Sequence, residues 1–188
     1  MDDLTRFELL ASSRRTSLRV DPALPVPVDV IERLCDIATR APNHRKTWPW
    51  RFASFTGEGR ARLGSTIADA LEASGFDDSR RVQKYRVKYL RAPTTVVVGS
   101  VADGSADRHV ENRDAVAAGV QNLLLAATAA GLASFWSSAP PDAALHALRD
   151  LCAFGEGDEV VAMIYLGWPL GPVPAPERPP VQVLHVDA

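Results

Sequence analysis

Residues 115–141 contain no charged side chain, in a chain of 188 residues of which 23% are charged. A run of that length has to be buried, in lipid or in protein. Alanine dominates it, Gln121, Asn122 and Thr128 interrupt it, and Gly131 stops the helical part before the roughly twenty strongly apolar residues of a membrane span accumulate. The run therefore predicts a helix enclosed by protein, over about 110–130, with its alanines and Gly119 allowing a neighbour to pack closely. No membrane partner is expected.

The other segments arrange themselves around this central helix. Leu4, Phe7, Leu9 and Leu10 have helical spacing, which predicts a first helix over 2–12 with acids at its positive end. The prolines of "RRTSLRVDPALPVP" exclude regular structure there. Val30, Ile31, Leu34, Ile37 and Ala38 give the inner face of a second helix, 28–40, which Pro42 ends. "WRFASFT" alternates as a strand does, closed by Gly57 and Gly59. Residues 60–90 are helical in pattern and break near "SGFDD", so two helices are expected, the second strongly basic.

"APTTVVVGSV" is a β-branched run bounded by Pro93 and Gly99, hence a buried strand. "ADGSADRH" reads as a surface loop, "LASFWSS" as a short strand, 141–151 as a helix and "EVVAMIYLG" as the last strand. The tail is proline-rich and extended, then apolar and alternating. Such a segment cannot fold on itself and should lie across another surface. Helices followed by strands separated by helices of unequal length predict an α+β sandwich in one domain, 1–188, with 172–188 as an extension. A doubly wound nucleotide fold fits less well, because "GEGRAR" lacks the third glycine and precedes no βαβ unit.

The formal net charge of -2 provides no basic stripe for nucleic acid, but leaves anionic small molecules open. Cys35 and Cys152 belong to no metal-spaced or C-x-x-C motif and read as reduced, buried thiols. The first residues carry acids where a signal peptide carries bases, so a cytoplasmic location is expected. His44, His109, His146 and His185 are scattered, with no H-E-x-x-H, and no metal site is predicted. G-x-S-x-G and P-loop motifs are absent from the sequence.

Three segments carry chemistry. "SRRTS" sets two guanidinium groups beside hydroxyls in a non-helical turn, which suits a phosphate monoester. Alternatively, Arg14 and Arg15 simply complement the carboxyl end of the first helix. In "RAPNHRKTWPWRF", Arg40, His44, Arg45 and Lys46 place donors around an anionic or electron-rich ring that Trp48 and Trp50 could wall. The plainer reading is a core Trp50 with solvated cations. "SFWSS" ends a strand with an aromatic residue and hydroxyls, where a ligand edge is commonly read.

Taken in order and spacing, "RRTSLR", "RAPNHRKTWPWRF", "ENRDAVAAGVQNLLLAATAAGLASFWSS" and "DEVVAMIYLGWP" resemble the nitroreductase family of FMN-dependent oxidoreductases, in its short single-domain form. The resemblance implies a mainly antiparallel central sheet flanked by helices, and a homodimer whose C-terminal segment crosses to the partner and adds a strand to its sheet. It assigns Arg14, Arg15 and Thr16 to the phosphate and ribityl end of FMN. Arg40 and His44 are assigned to the flavin from the other subunit, and Trp136, Ser137 and Ser138 to the side of the isoalloxazine. The run 126–131 matches a stretch associated with nicotinamide binding in some relatives.

The implied reaction is a two-stage cycle in which NADH or NADPH reduces the flavin, and a nitroaromatic, quinone or similar acceptor then takes the electrons. No catalytic acid or base from the chain is required; Arg40 or His44 would stabilise the reduced flavin near its N1 and C2 carbonyl edge. Two departures stand out. Trp48 replaces a common glutamine or glutamate and bears on the substrate pocket, and no base follows the last strand until Arg178. Related scaffolds also support dehydrogenation and reductive dehalogenation. A protein that stores or sequesters FMN without turnover is the alternative from another class, and a structural dimer without cofactor the blandest one.

Overall fold

The computed structural model describes residues 1–186; the last two residues of the expected extension lie outside it. Four strands form one antiparallel sheet in the order β1-β2-β4-β3. They are β1 (Trp50–Thr56), β2 (Thr94–Ser100), β3 (Ala133–Ser137) and β4 (Glu159–Gly167). The helices are α1 (Asp3–Ser13), α2 (Val28–Ala38), α3 (Gly59–Ala73), α4 (Ser79–Lys88), α5 (Ala106–Ala129) and α6 (Leu145–Cys152). The α+β sandwich expected from the pattern of segments is the observed architecture.

Period-two alternation on the two central strands builds both cores. Val96 and Val98 of β2, with Ala162, Ile164 and Leu166 of β4, face α2 and α5, where Leu34, Val116, Val120 and Leu123 meet them. Val97, Met163 and Tyr165 face the other way, against Leu63, Ile67 and Leu71 of α3, Val82 and Tyr85 of α4 and Leu148 of α6. All seven residues of β2 are buried, as a β-branched strand covered on both faces requires. The first part of the uncharged run, 115–129, is the second part of α5; one face of it is buried, through Val116, Val120, Leu123 and Ala127, while Ala118, Gln121 and Ala129 stay exposed in the protomer, so the expected enclosure is met on one face only. No helix among the described residues is long and apolar enough to cross a membrane.

Differences from the sequence reading lie at boundaries and at surfaces without a partner. α5 starts at Ala106, so part of the expected loop is its exposed first turn. α2 stops at Ala38 and leaves Arg40 just beyond it. α1 has the expected amphipathic spacing and an Asp2 cap whose Oδ1 accepts the Thr5 N–H at 2.9 Å, yet it has no buried residue. Leu4, Phe7 and Leu9 remain exposed. Among the described residues the tail forms no strand within the protomer, whereas the expected strand belongs to a partner's sheet.

The two cysteines are free. Burial pushes the Cys35 thiol up to about 11 and Cys152 up to about 12, so both are poor nucleophiles. Lys88 moves the opposite way. Burial, with Arg91, Lys84 and Arg81 nearby, lowers its ammonium to about 8. Because the unfolded lysine titrates near its ordinary 10.5, the unfolded chain binds more protons between about pH 8 and 10.5. The contribution of Lys88 to stability should therefore rise through that window. Denaturant titrations at pH 7 and pH 10 should show Lys88→Met gaining more over wild type at pH 7 than at pH 10; an equal difference would contradict the shift.

Candidate functional site

The segment after α1 is fixed to the open edge of the sheet. Thr16 forms an isolated parallel bridge with Ser134 of β3, and the Ser17 N–H donates to the Ser134 carbonyl at 2.9 Å. Further on, Leu170 N donates to the Arg19 carbonyl at 2.9 Å and Asp21 N to that of Trp168 at 3.0 Å. Residues 16–21 are thus stitched between β3 and the chain leaving β4. That stitching holds Arg14, Arg15 and Thr16 in place at the end of the helix.

Arg14 donates through Nη1 to Thr16 Oγ1 at 3.4 Å. Arg15 donates through Nη1 to the carbonyls of Ser12 and Arg14, which orients its guanidinium. Its Nε is buried without a partner, as are the hydroxyls of Ser134 and of several core residues, and a buried polar group left unmatched costs about 1–3 kcal/mol.

Two adjoining cavities open there. One, of about 290 Å³, is lined by Arg14, Arg15, Thr16, Val173, Pro174, Pro176 and Arg178. The other, of about 270 Å³, has Ser13, Ser17, Thr128 and Leu132 among its walls, and shares Arg15 and Val173 with the first. The first is the more cationic, and the second is lined mainly by hydroxyls and apolar groups. Arg178 joins Arg14 and Arg15 from far away in sequence, as the first base after the last strand.

Arg40 and His44 lie elsewhere in the protomer. The Arg40 guanidinium is engaged by Asp36, with Nη2 contacts of 3.0 and 2.8 Å to the two carboxylate oxygens, and this pairing raises its already high affinity for the proton. His44 accepts the Arg45 Nε–H at Nε2, 3.1 Å, and places Nδ1 3.8 Å from Glu111 of α5. His44 lines a third cavity of about 270 Å³ with Pro42, Glu111, Asp114, Ala115 and Ala118. That cavity shares no lining residue with the two at Arg15. Within one protomer the two halves of the expected cofactor set are therefore not brought together.

The junction itself is under backbone strain. Arg45, Lys46 and Trp48 have φ of 57°, 54° and 50°, a region costing an L-residue roughly 1–2 kcal/mol. A clamp holds it. Asn43 Nδ2 donates to Thr47 Oγ1 at 2.9 Å, and Asn43 Oδ1 accepts the Trp48 N–H at 2.9 Å. Thr47 Oγ1 donates to Asn112 of α5, whose Nδ2 reaches the Val101 carbonyl at 3.3 Å. Trp50 is buried and donates Nε1–H to the Ala115 carbonyl at 3.3 Å, so the core role read from sequence holds. Trp48 stands outside with 61% of its surface exposed, its ring centroid 6.3 Å from that of Trp50.

Trp136, Ser137 and Ser138 lie at the far end of β3, past the residue that Thr16 bridges. Trp136 is 38% exposed, and Ser137 donates its hydroxyl to the Ser138 carbonyl at 3.4 Å. β3 therefore links the Arg14–Thr16 turn to this segment along one sheet edge. Sequence reasoning did not single out Ser134, Glu111, Asn43 or Asn112. Single polar residues of this kind give no local signal, and only the packing of α5 beside the junction reveals the last three. Among the described residues no group of three or more His, Cys, Asp or Glu is placed to hold a metal ion.

With this geometry in hand, the comparisons are specific. YdjA of Escherichia coli K12 is 29% identical over 87% of both chains, and YfhC of Bacillus subtilis 168 is 30% identical over 89% of this chain and 87% of its own. Both are named, by inference, NAD(P)H nitroreductases. A nitroreductase-like protein from Bacillus cereus superimposes with a TM-score of 0.80 at 23% identity over 98% of each chain. A Bacteroides fragilis nitroreductase with bound FMN does so with 0.74 at 18% identity over the whole of both. The Nitroreductase family model matches residues 11–168, and the chain belongs to the nitroreductase family.

Proposed function

We propose that this protein is an FMN-dependent oxidoreductase that is reduced by NADH or NADPH and in turn reduces nitroaromatic, quinone or similar electron-poor acceptors in two alternating half-reactions. Family membership supports an oxidoreductase using NAD(P)H, as the names of YdjA and YfhC state for those proteins. The observation that carries the cofactor is the seat at Arg14, Arg15, Thr16 and Arg178. Three arginines and Thr16 line one concavity.

A phosphate monoester fits that donor set, since guanidinium groups bind its oxygens in pairs. The adjoining cavity, with Ser13, Ser17 and Thr128, suits a hydroxylated chain. When bound, FMN supplies the two-electron chemistry at its ring system. Trp136, Ser137 and Ser138 would border the ring. Arg40 and His44 would bring positive charge and a donor from a second protomer, where fixed charges stabilise developing anionic character without reorganising. Trp48 would wall the acceptor pocket.

The homodimer this requires is supported by the unburied apolar face of α1, by Val181, Val183, Leu184 and Val186 exposed in the tail, and by the unpaired outer edge of β1. The chain would then be one domain, 1–188, whose 172–188 extension reaches the partner's sheet. Two free thiols favour a reducing compartment such as the cytoplasm. Purified protein should be yellow, and anaerobic NADH or NADPH should bleach it until a nitroarene or quinone restores the colour. Yellow protein that neither nucleotide bleaches would leave a flavin-storing protein; colourless protein that gains no spectrum with added FMN would refute the cofactor assignment.

A further inference from the structure

A further polar concavity, of about 530 Å³, lies on the outer surface of α4. Its walls are Arg80, Arg81, Lys84 and Lys88, with Tyr85 beneath them and Asp78 as the single acid. Asp78 is already committed to the helix end, where its Oδ1 accepts the Arg81 N–H at 2.9 Å. Among the described residues none of these four cations has a carboxylate partner, and neither has the adjacent Arg91.

Arg86 on the same helix shows what a structural cation does here. It bridges Asp69 at 2.7 Å and Glu72 at 3.0 Å on α3, tying the two helices together. The opposite face does nothing of the kind. Like charges stand four residues apart at Arg80 and Lys84 and again at Lys84 and Lys88, which works against the helix.

Lys88 is half-buried, its Nζ held 4.0 Å from the Tyr85 ring centroid and 5.0 Å from that of Tyr89. Its lowered proton affinity has burial as the first cause and crowding by Arg91, Lys84 and Arg81 as the rest. In a chain whose formal net charge is -2, such a focus of unneutralised cations over an aromatic floor creates a local positive field that attracts negative charge.

We propose that the α4 concavity binds a multiply charged phosphate group, free or carried on a nucleotide, its oxygens held by Arg80, Arg81, Lys84 and Lys88. The site shares no residue with the Arg14–Arg15 seat and does not depend on where FMN binds. Pyrophosphate and ADP are the probes, titrated calorimetrically at low salt into protein saturated with FMN, so that the other seat is filled. One saturable site per chain is expected, weakening as salt is raised.

Arg80→Gln combined with Lys84→Gln should weaken binding at least tenfold, while Arg62→Gln on α3 changes nothing. Both altered side chains are exposed and hold no fold contact, so circular dichroism should match wild type. Tighter binding of ADP than of pyrophosphate would identify a nucleotide-borne group; equal binding would identify free phosphates. Absence of saturable binding by either probe, or undiminished affinity in the double variant, would overturn the proposal. Arg14→Ala separates the two sites, since it should release FMN and leave the α4 titration intact.

Discussion

Arg14→Ala combined with Arg15→Ala is expected to yield folded protein that leaves purification without flavin and regains it only at FMN concentrations raised by about two to four orders of magnitude. Hydrogen bonds to charged groups are worth about 1.5–3 kcal/mol each, so losing two such donors removes roughly 3–6 kcal/mol of binding. Arg178 alone then faces the phosphate, from a tail with no regular structure. The fold should survive, because neither side chain is part of the two cores. Arg15 does contribute the contacts to the Ser12 and Arg14 carbonyls, and its loss should loosen the turn by about 1 kcal/mol. The checks are the flavin-to-protein absorbance ratio after dialysis and the Kd from fluorescence quenching. A fully loaded, yellow double variant would remove FMN phosphate from this seat.

How much of this was legible before the structure depends on whether a residue's role is set by its neighbours in sequence. The central strands were legible because they are buried on both faces, and such strands read as continuous β-branched runs. The charge-free part of α5 was legible as something other than a membrane span because Gln121, Asn122 and Gly131 interrupt it, although only one of its faces is buried in the protomer. Trp50 was legible as an anchor because a Pro-Trp pair opens an alternating strand.

Other features depend on contacts between distant segments. Asn112 locks a strained loop 65 residues earlier through Thr47, and nothing in "VENRD" marks it apart from its charged neighbours. The left-handed conformations of Arg45, Lys46 and Trp48 are invisible because none is glycine; strain of this kind persists only where tertiary bonds over-determine it. Arg178 was legible as a lone base in a proline-rich tail, but its meeting with Arg14 and Arg15 required the chain path. For α1 the pattern and the fold agree on a helix, and the face it was expected to bury has no partner within the protomer.

Gly119→Ala is expected to destabilise the protein by about 2 kcal/mol, although alanine is the better helix former by about 1 kcal/mol. Gly119 sits where α5 crosses the end of α2. A Cβ there would stand 2.7 Å from the Ala38 carbonyl oxygen and 2.7 Å from Trp50 Nε1. Neither neighbour can give way cheaply. Moving Ala38 lifts the last turn of α2 from α5, and moving Trp50 breaks its 3.3 Å bond to the Ala115 carbonyl. Overpacking of a filled core costs about 1–3 kcal/mol and the lost indole bond about 1 kcal/mol more, which outweighs the gain in helix propensity. For a chain of this size the expected fall in Tm is roughly 4–8 °C. Gly104→Ala is the matched control, since a Cβ there meets nothing within 4 Å. Because α2 leads into the junction and Trp50 closes it, the displacement should also reach His44 and Trp48. Acceptor turnover in Gly119→Ala should consequently fall even at temperatures where it is fully folded, while its affinity for FMN phosphate, set at the opposite edge of the sheet, should change far less. Loss of FMN affinity equal to the loss of turnover would show that the junction and the Arg14–Arg15 seat act as one unit.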